Sequence, residues 1–199
     1  MMIYLKKSKM LFLLSTLLSL YGCEKKDLTE LPPATQEGKN TFGCLINGKL
    51  FVPFTKTNTT VLAARASAFL DSNGVERGGM IIWADRYTDS AGIEIAQGVT
   101  IQMDIPPYEG IVYSFDSENP QAKARVSWSY SKNNLPFPAH KGCSYDWVNS
   151  RCKGTIVFTK LGNRIMAATF EFTLQLKDSK PNCPPEVVVS QGRFDVIYN

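Results

Sequence analysis

Apolar and polar residues alternate with a period of two along much of this chain. Over 122–130, Ala122, Ala124, Val126, Trp128 and Tyr130 fall on one side, and Lys123, Arg125, Ser127 and Ser129 on the other. Successive side chains of a strand point to opposite faces, so this is a strand half buried against a core. The stretch 164–177 repeats the pattern, with Met166, Ala168, Phe170, Phe172, Leu174 and Leu176 opposed to Ala167, Thr169, Glu171, Thr173, Gln175 and Lys177. Val99, Ile101, Met103 and Ile105 alternate in the same way with Thr100, Gln102 and Asp104.

Turn chemistry separates these runs. Asn47-Gly48 stands between 42–46 and 49–52 and predicts a hairpin, because both central residues of the favoured two-residue turn need positive φ. Ser72-Asn73-Gly74 divides 61–70 from 80–84, and Leu161-Gly162-Asn163 divides 155–158 from the strand that begins at Arg164. With further strands at 111–115, 187–190 and 194–198, the count is nine or ten, and no stretch of helical period exceeds about two turns. The class is all-β, expected as an antiparallel two-sheet β-sandwich, with a flattened lipocalin-like barrel as the alternative.

The first segment breaks the pattern. Lys6, Lys7 and Lys9 precede an apolar run at 10–20, and Leu20-Tyr21-Gly22-Cys23 follows. Eleven apolar-rich residues cover about half of the roughly 20 that a membrane-crossing helix needs. The segment instead resembles the signal and lipobox of Gram-negative lipoproteins, which implies cleavage after Gly22, lipidation of Cys23 and attachment to the membrane through that anchor. Residues 1–22 are then a signal peptide, 23–40 a lipidated cysteine and a polar, proline-bearing tether, and 41–199 one domain.

Charge and cysteines narrow the picture. The signal carries three lysines and no acid, so its removal lowers the formal charge from +4 to +1. A nearly neutral domain without a Lys/Arg cluster lacks the footprint of a nucleic-acid binder. Cys44, Cys143, Cys152 and Cys183 are an even number in an exported chain and predict two disulfides, expected as Cys143 with Cys152 and Cys44 with Cys183. No Cys-x2-Cys or Cys-x4-Cys pair is present, and His140 is the sole histidine, so neither a zinc site nor another metal or cofactor is expected.

The opening Thr41-Phe42-Gly43-Cys44-Leu45-Ile46-Asn47-Gly48-Lys49, with the stretch 31–40 before it, resembles that of a group of uncharacterised Bacteroidetes-type lipoproteins. The close, Thr169-Phe170-Glu171-Phe172-Thr173 followed by Gly192-Arg193-Phe194-Asp195, resembles theirs as well. The resemblance implies a lipid-anchored place in the cell envelope, at the outer membrane on its periplasmic or surface side, and brings no activity with it. Glu24-Lys25-Lys26-Asp27 mixes charges where an acidic run would direct surface display. Asp89-Ser90-Ala91 matches the short acceptor pattern for O-glycosylation at Ser90, though an ordinary polar turn is the favoured reading.

Candidate chemistry is sparse. His140 lies in 133–141, a stretch with Pro136 and Pro138 that reads as a loop, and no Gly-x-Ser-x-Gly elbow accompanies it. Asp85, Asp89, Asp104 and Glu109 are scattered acids without a motif, and Asp71-Ser72-Asn73-Gly74 lacks the glycine and distal glutamate of a calcium loop. Aromatic density is more suggestive: Trp128, Tyr130, Phe137, Tyr145 and Trp147 surround the Cys143 to Cys152 stretch and could stack on sugar faces, or else pack inward to anchor the loop. The inward sets Met166, Phe170, Phe172 and Val99, Ile101, Met103 could line a cavity for an apolar ligand, or fill it. The expectation is a non-enzymatic structural or protein-interaction module of the envelope, with glycan binding and apolar-ligand carriage as alternatives.

Overall fold

A computed structural model describes residues 29–55, 60–70, 76–90, 93–116, 121–132 and 141–198; of 67–70, 76–77, 90, 130–132 and 141 only the backbone is described. Cys23, Phe137, His140 and the 71–74 turn lie outside these residues, as do Ala91 and the side chains of Ser90 and Tyr130. Among the described residues there are eleven strands and no helix: β1 (Thr41–Ile46), β2 (Lys49–Phe51), β3 (Leu62–Leu70), β4 (Glu76–Ser90), β5 (Ile93–Met103), β6 (Val112–Ser114), β7 (Lys123–Lys132), β8 (Lys141–Tyr145), β9 (Ser150–Gly162), β10 (Ile165–Leu176) and β11 (Glu186–Ile197).

They form two open antiparallel sheets, one ordered β2-β1-β11-β10-β9-β6 and the other β3-β4-β5-β7-β8. Neither closes on itself, so the fold is the two-sheet sandwich and not the barrel. The Asn47-Gly48 hairpin forms as expected, with φ of 50° and 76°. The β9–β10 turn falls one residue later than expected, on Asn163 and Arg164 at 52° and 61°.

The core is unequal in its two halves. The six-stranded sheet contributes rings: Phe42 stacks on Phe194 at 6.4 Å, Phe170 on Phe172 at 6.0 Å, and Phe115 approaches Phe172 at 5.0 Å. The five-stranded sheet answers with smaller side chains, Ile82, Ala84, Val99, Ile101, Ala124 and Val126, all at 0% exposure. Each large side chain so buried contributes about 1.5–3 kcal/mol. Met166, Phe170, Phe172, Val99, Ile101 and Met103 all belong to this one core, so the inward sets fill the space between the sheets.

Two local readings change. The stretches 187–190 and 194–198 are one strand, β11, whose register slips against both β1 and β10 around Ser190 to Gly192, with Gln191 at a φ of 52°. The extra residue of that bulge interrupts the alternation and makes one strand read as two. β8 occupies a stretch expected to be loop; five residues ending in Tyr145 suffice because β7 supplies the pairing.

From Leu31 onward the described part of the tether, residues 29–40, is packed and not free. Pro32 is buried over Gly43, and Asp195 of β11 accepts hydrogen bonds from the Thr35 hydroxyl at 2.6 Å and from the backbone N–H groups of Glu37, Gly38 and Lys39 at 3.0, 2.7 and 3.2 Å. Asp195 itself is 1% exposed. Burial acts to raise the pKa of its carboxyl, but the Thr35 hydroxyl and the three N–H groups hold it below its ordinary value.

The cysteines pair differently from expectation. Cys143 bonds Cys183, with Cα atoms 5.7 Å apart, and Cys44 and Cys152 are buried free thiols. Cys143 and Cys152 lie on strands of opposite sheets, which pack about 10 Å apart, beyond the roughly 7 Å Cα limit of a disulfide. Cys44 on β1 is separated from Cys152 on β9 by β11 and β10, about 14 Å at the usual strand spacing. Cys183 belongs to the β10–β11 loop, which leans onto β8 and not onto β1: Tyr145 Oη donates to the Pro184 carbonyl at 2.5 Å.

Candidate functional site

Of the aromatic side chains flagged in the sequence, the three that are described do not all share a face: Trp128 and Tyr145 turn inward and Trp147 does not. Tyr145 is fully buried, and burial raises its phenol pKa. Trp128 packs on Tyr145 at 5.3 Å, in the inward row Arg86, Gln97, Trp128, Cys143 that the strand registers align. Part of Trp128 reaches a cleft of about 280 Å³ shared with Gln97 and with Ile46, Asn47, Lys49 and Leu50 of the first hairpin. Trp147 lies in the β8–β9 turn, which is tied by Asp146 Oδ1 accepting from the N–H of Val148 and Asn149 at 2.9 and 3.1 Å. Its ring is occupied by cations, Arg125 at 5.4 Å and Lys123 at 5.8 Å from its centroid.

A different site emerges on the outward face of the five-stranded sheet. The β4–β5, β5–β7 and β7–β8 registers align two neighbouring outward rows, Asp85-Gly98-Ser127-Ser144 and Tyr87-Ala96-Ser129-Gly142. Six of these eight residues are glycine, alanine or serine. The larger row Trp83-Thr100-Arg125 bounds them on one side, and Asp89 and Glu94 on the other. The result is a trough of about 470 Å³ running across four strands, about 14 Å at the usual spacing.

Its two ends carry the charge. Asp85 and Tyr87 rise from β4, whose edge is there closed by Phe54: the Phe54 N–H donates to the Asp85 carbonyl at 3.2 Å, and the Tyr87 N–H to the Phe54 carbonyl at 2.8 Å. A Cβ on Gly98 would stand 2.7 Å from Asp85 Oδ1 and 3.4 Å from Ser127 Oγ, so the carboxylate leans over bare backbone towards the serine. Burial raises the Asp85 pKa, and no described side chain donates to it. Burial raises the Tyr87 pKa as well, with the nearby charges of Asp85 and Glu94 adding to it. At the far end Lys180 leans in from the β10–β11 loop, which the Cys143–Cys183 bond fastens to β8.

The remaining acids do not converge. Asp104 is paired with Lys123 and accepts from Gln102 at 2.8 Å, and these partners hold its pKa low. Glu109 sits near Lys160 at 3.7 Å and accepts from the Leu161 N–H at 2.5 Å. Asp85 and Asp89 share a face of β4 but stand four residues apart, about 13 Å, wider than the 5 to 9.5 Å of paired glycosidase carboxylates. Among the described residues no group of three His, Cys, Asp or Glu could hold a metal ion.

The chain matches no family model, no curated protein and no solved structure.

Sequence reasoning reached Asp85 only as one scattered acid and passed over the rest of the trough. The available signal was the outward face of two strands, where Ala96 and Gly98 on one and Ser127 and Ser129 on the other replace the long polar side chains usual on a solvated face.

Proposed function

We propose that this protein is a lipid-anchored binding module of the bacterial envelope, held at Cys23, whose outward trough takes a polyhydroxylated chain such as a glycan. The observation that carries the reading is the pair of small-residue rows on the five-stranded sheet. A sugar ring needs bare surface to approach the backbone, groups that both donate and accept, and an aromatic face. Gly98 and Ala96 offer the first, the hydroxyls of Ser127, Ser129, Ser144 and Tyr87 with the Asp85 carboxylate the second, and Tyr87 the third.

The test is a glycan array probed with the whole chain in detergent, beside a double variant, Ala96→Leu with Ser129→Leu, that fills the floor from the outward face. Selective binding that the variant loses supports the reading. A folded chain that binds no glycan, or a variant that binds as well as the parent, removes it.

A second reading, contact with another envelope protein, is favoured by Tyr108, Ile111 and Val112, which are 68%, 50% and 59% exposed beside and within the edge strand β6. Photo-crosslinkers at Ile111 that capture one envelope protein reproducibly would support it.

A further inference from the structure

Three of the four residues in Gly192-Arg193-Phe194-Asp195 have structural tasks. Gly192 leaves space for the Phe170 ring, since a Cβ there would come within 2.3 Å of Phe170 Cε2. Phe194 stacks in the core, and Asp195 pins the 29–40 segment. Arg193 has none of these roles. Its Nε is buried and has no hydrogen-bond partner, and it takes part in none of the ion pairs formed among the described residues.

Its surroundings mix polar and apolar groups and are open on one side. Arg193 lies outward on β11 between Gly43 of β1 and Thr169 of β10, and Pro32 roofs Gly43. In front of it is a groove of about 400 Å³ on the six-stranded sheet, lined by Thr155, Thr169, Glu171 and Gln191 along with Arg193, and also by Val157 and Phe170. This is the opposite outer face of the sandwich from the trough.

We propose that the Arg193 groove is a second binding site, one that takes a carboxylate carrying a hydroxyl group beside it, as in a uronic acid. A guanidinium has donors only and binds carboxylate through its planar fork, so an Arg193 side chain that lines the groove and takes part in no ion pair among the described residues suits an oxyanion. Glu171 in the same groove accepts only. It suits a ligand hydroxyl next to the carboxylate and opposes a compact anion of higher charge such as phosphate. Thr155 and Thr169 supply hydroxyls that fit either partner.

The experiment follows the Arg193 Nε–Hε resonance of the whole chain in detergent, assigned by comparison with Arg193→Lys, during titration with glucuronate, glucose and inorganic phosphate. The expected result is a saturable shift with glucuronate, at an affinity about tenfold or more above glucose and phosphate. Glu171→Gln, an outward strand position, should weaken glucuronate and strengthen phosphate. No saturable shift with any anion would overturn the site, and phosphate binding as tight as glucuronate would overturn its ligand class. The Ala96→Leu, Ser129→Leu variant should bind glucuronate here unchanged, which separates this site from the trough.

Discussion

Thr35 donates its hydroxyl to the Asp195 carboxylate at 2.6 Å across 160 residues of sequence, and this bond joins the segment before the first strand to the last strand of the fold. Three backbone N–H groups complete the cradle. Asp195→Ala should therefore cost about 1.5–3 kcal/mol or more, the range for one hydrogen bond to a charged group, measured by urea unfolding at neutral pH.

The same carboxylate gives a pH signature. Its pKa in the folded chain lies below the unfolded value of 3.8. Its contribution to stability is thus whole above that value and is lost as the pH falls through the lower, folded one. Urea midpoints taken from pH 6 downwards should fall more steeply for the parent than for Asp195→Asn over that acidic window. Parallel curves would show that the cradle does not depend on charge.

The Cys143–Cys183 bond closes 40 residues, for which the chain-entropy estimate is about 4 kcal/mol. Cys143→Ser with Cys183→Ser should lose much of that in urea unfolding. It should also weaken any ligand of the trough, because Lys180 rides on the fastened loop. Peptide mapping without reduction should find this one pair.

Cys44 and Cys152 should resist alkylation in the folded chain at pH 8 and react fully after unfolding. Burial raises the Cys44 pKa strongly. Burial and the nearby Asp116 push the Cys152 thiol up to about 12, so neither presents a thiolate. Labelling of either in the native chain, read by intact mass, would contradict their placement between the sheets.

Gly192→Ala should destabilise by about 1–3 kcal/mol, the usual cost of overpacking, because the added methyl meets the Phe170 ring. Phe170→Leu in the same chain should recover part of it, a coupling that a double-mutant cycle in urea would measure.

The class of fold could be read from period-two runs such as 122–130 and 164–177, because a half-buried strand writes its burial directly into alternation. What escaped had a specific cause in each case. The bulge at Gln191 broke the alternation of β11, and β8 is held by pairing with β7, which no local pattern reveals. The partner of Cys183 depended on which sheet each cysteine entered. Sequence spacing is blind to that, since the chain changes sheets within the four residues between β8 and β9. The trough shares this character: Asp85, Gly98, Ser127 and Ser144 become a row only when three registers are known.

The pinning of residues 29–40 also sets a length. On the lipoprotein reading, eight residue steps separate the acylated Cys23 from Leu31, which packs over Gly43, and a fully extended chain of that length reaches about 28 Å. That distance is shorter than the long leash that 17 free residues would have made. The domain would skim the bilayer like a boat on a short mooring, searching a thin layer of the envelope by lateral diffusion, so partners and ligands must come to that layer to be met.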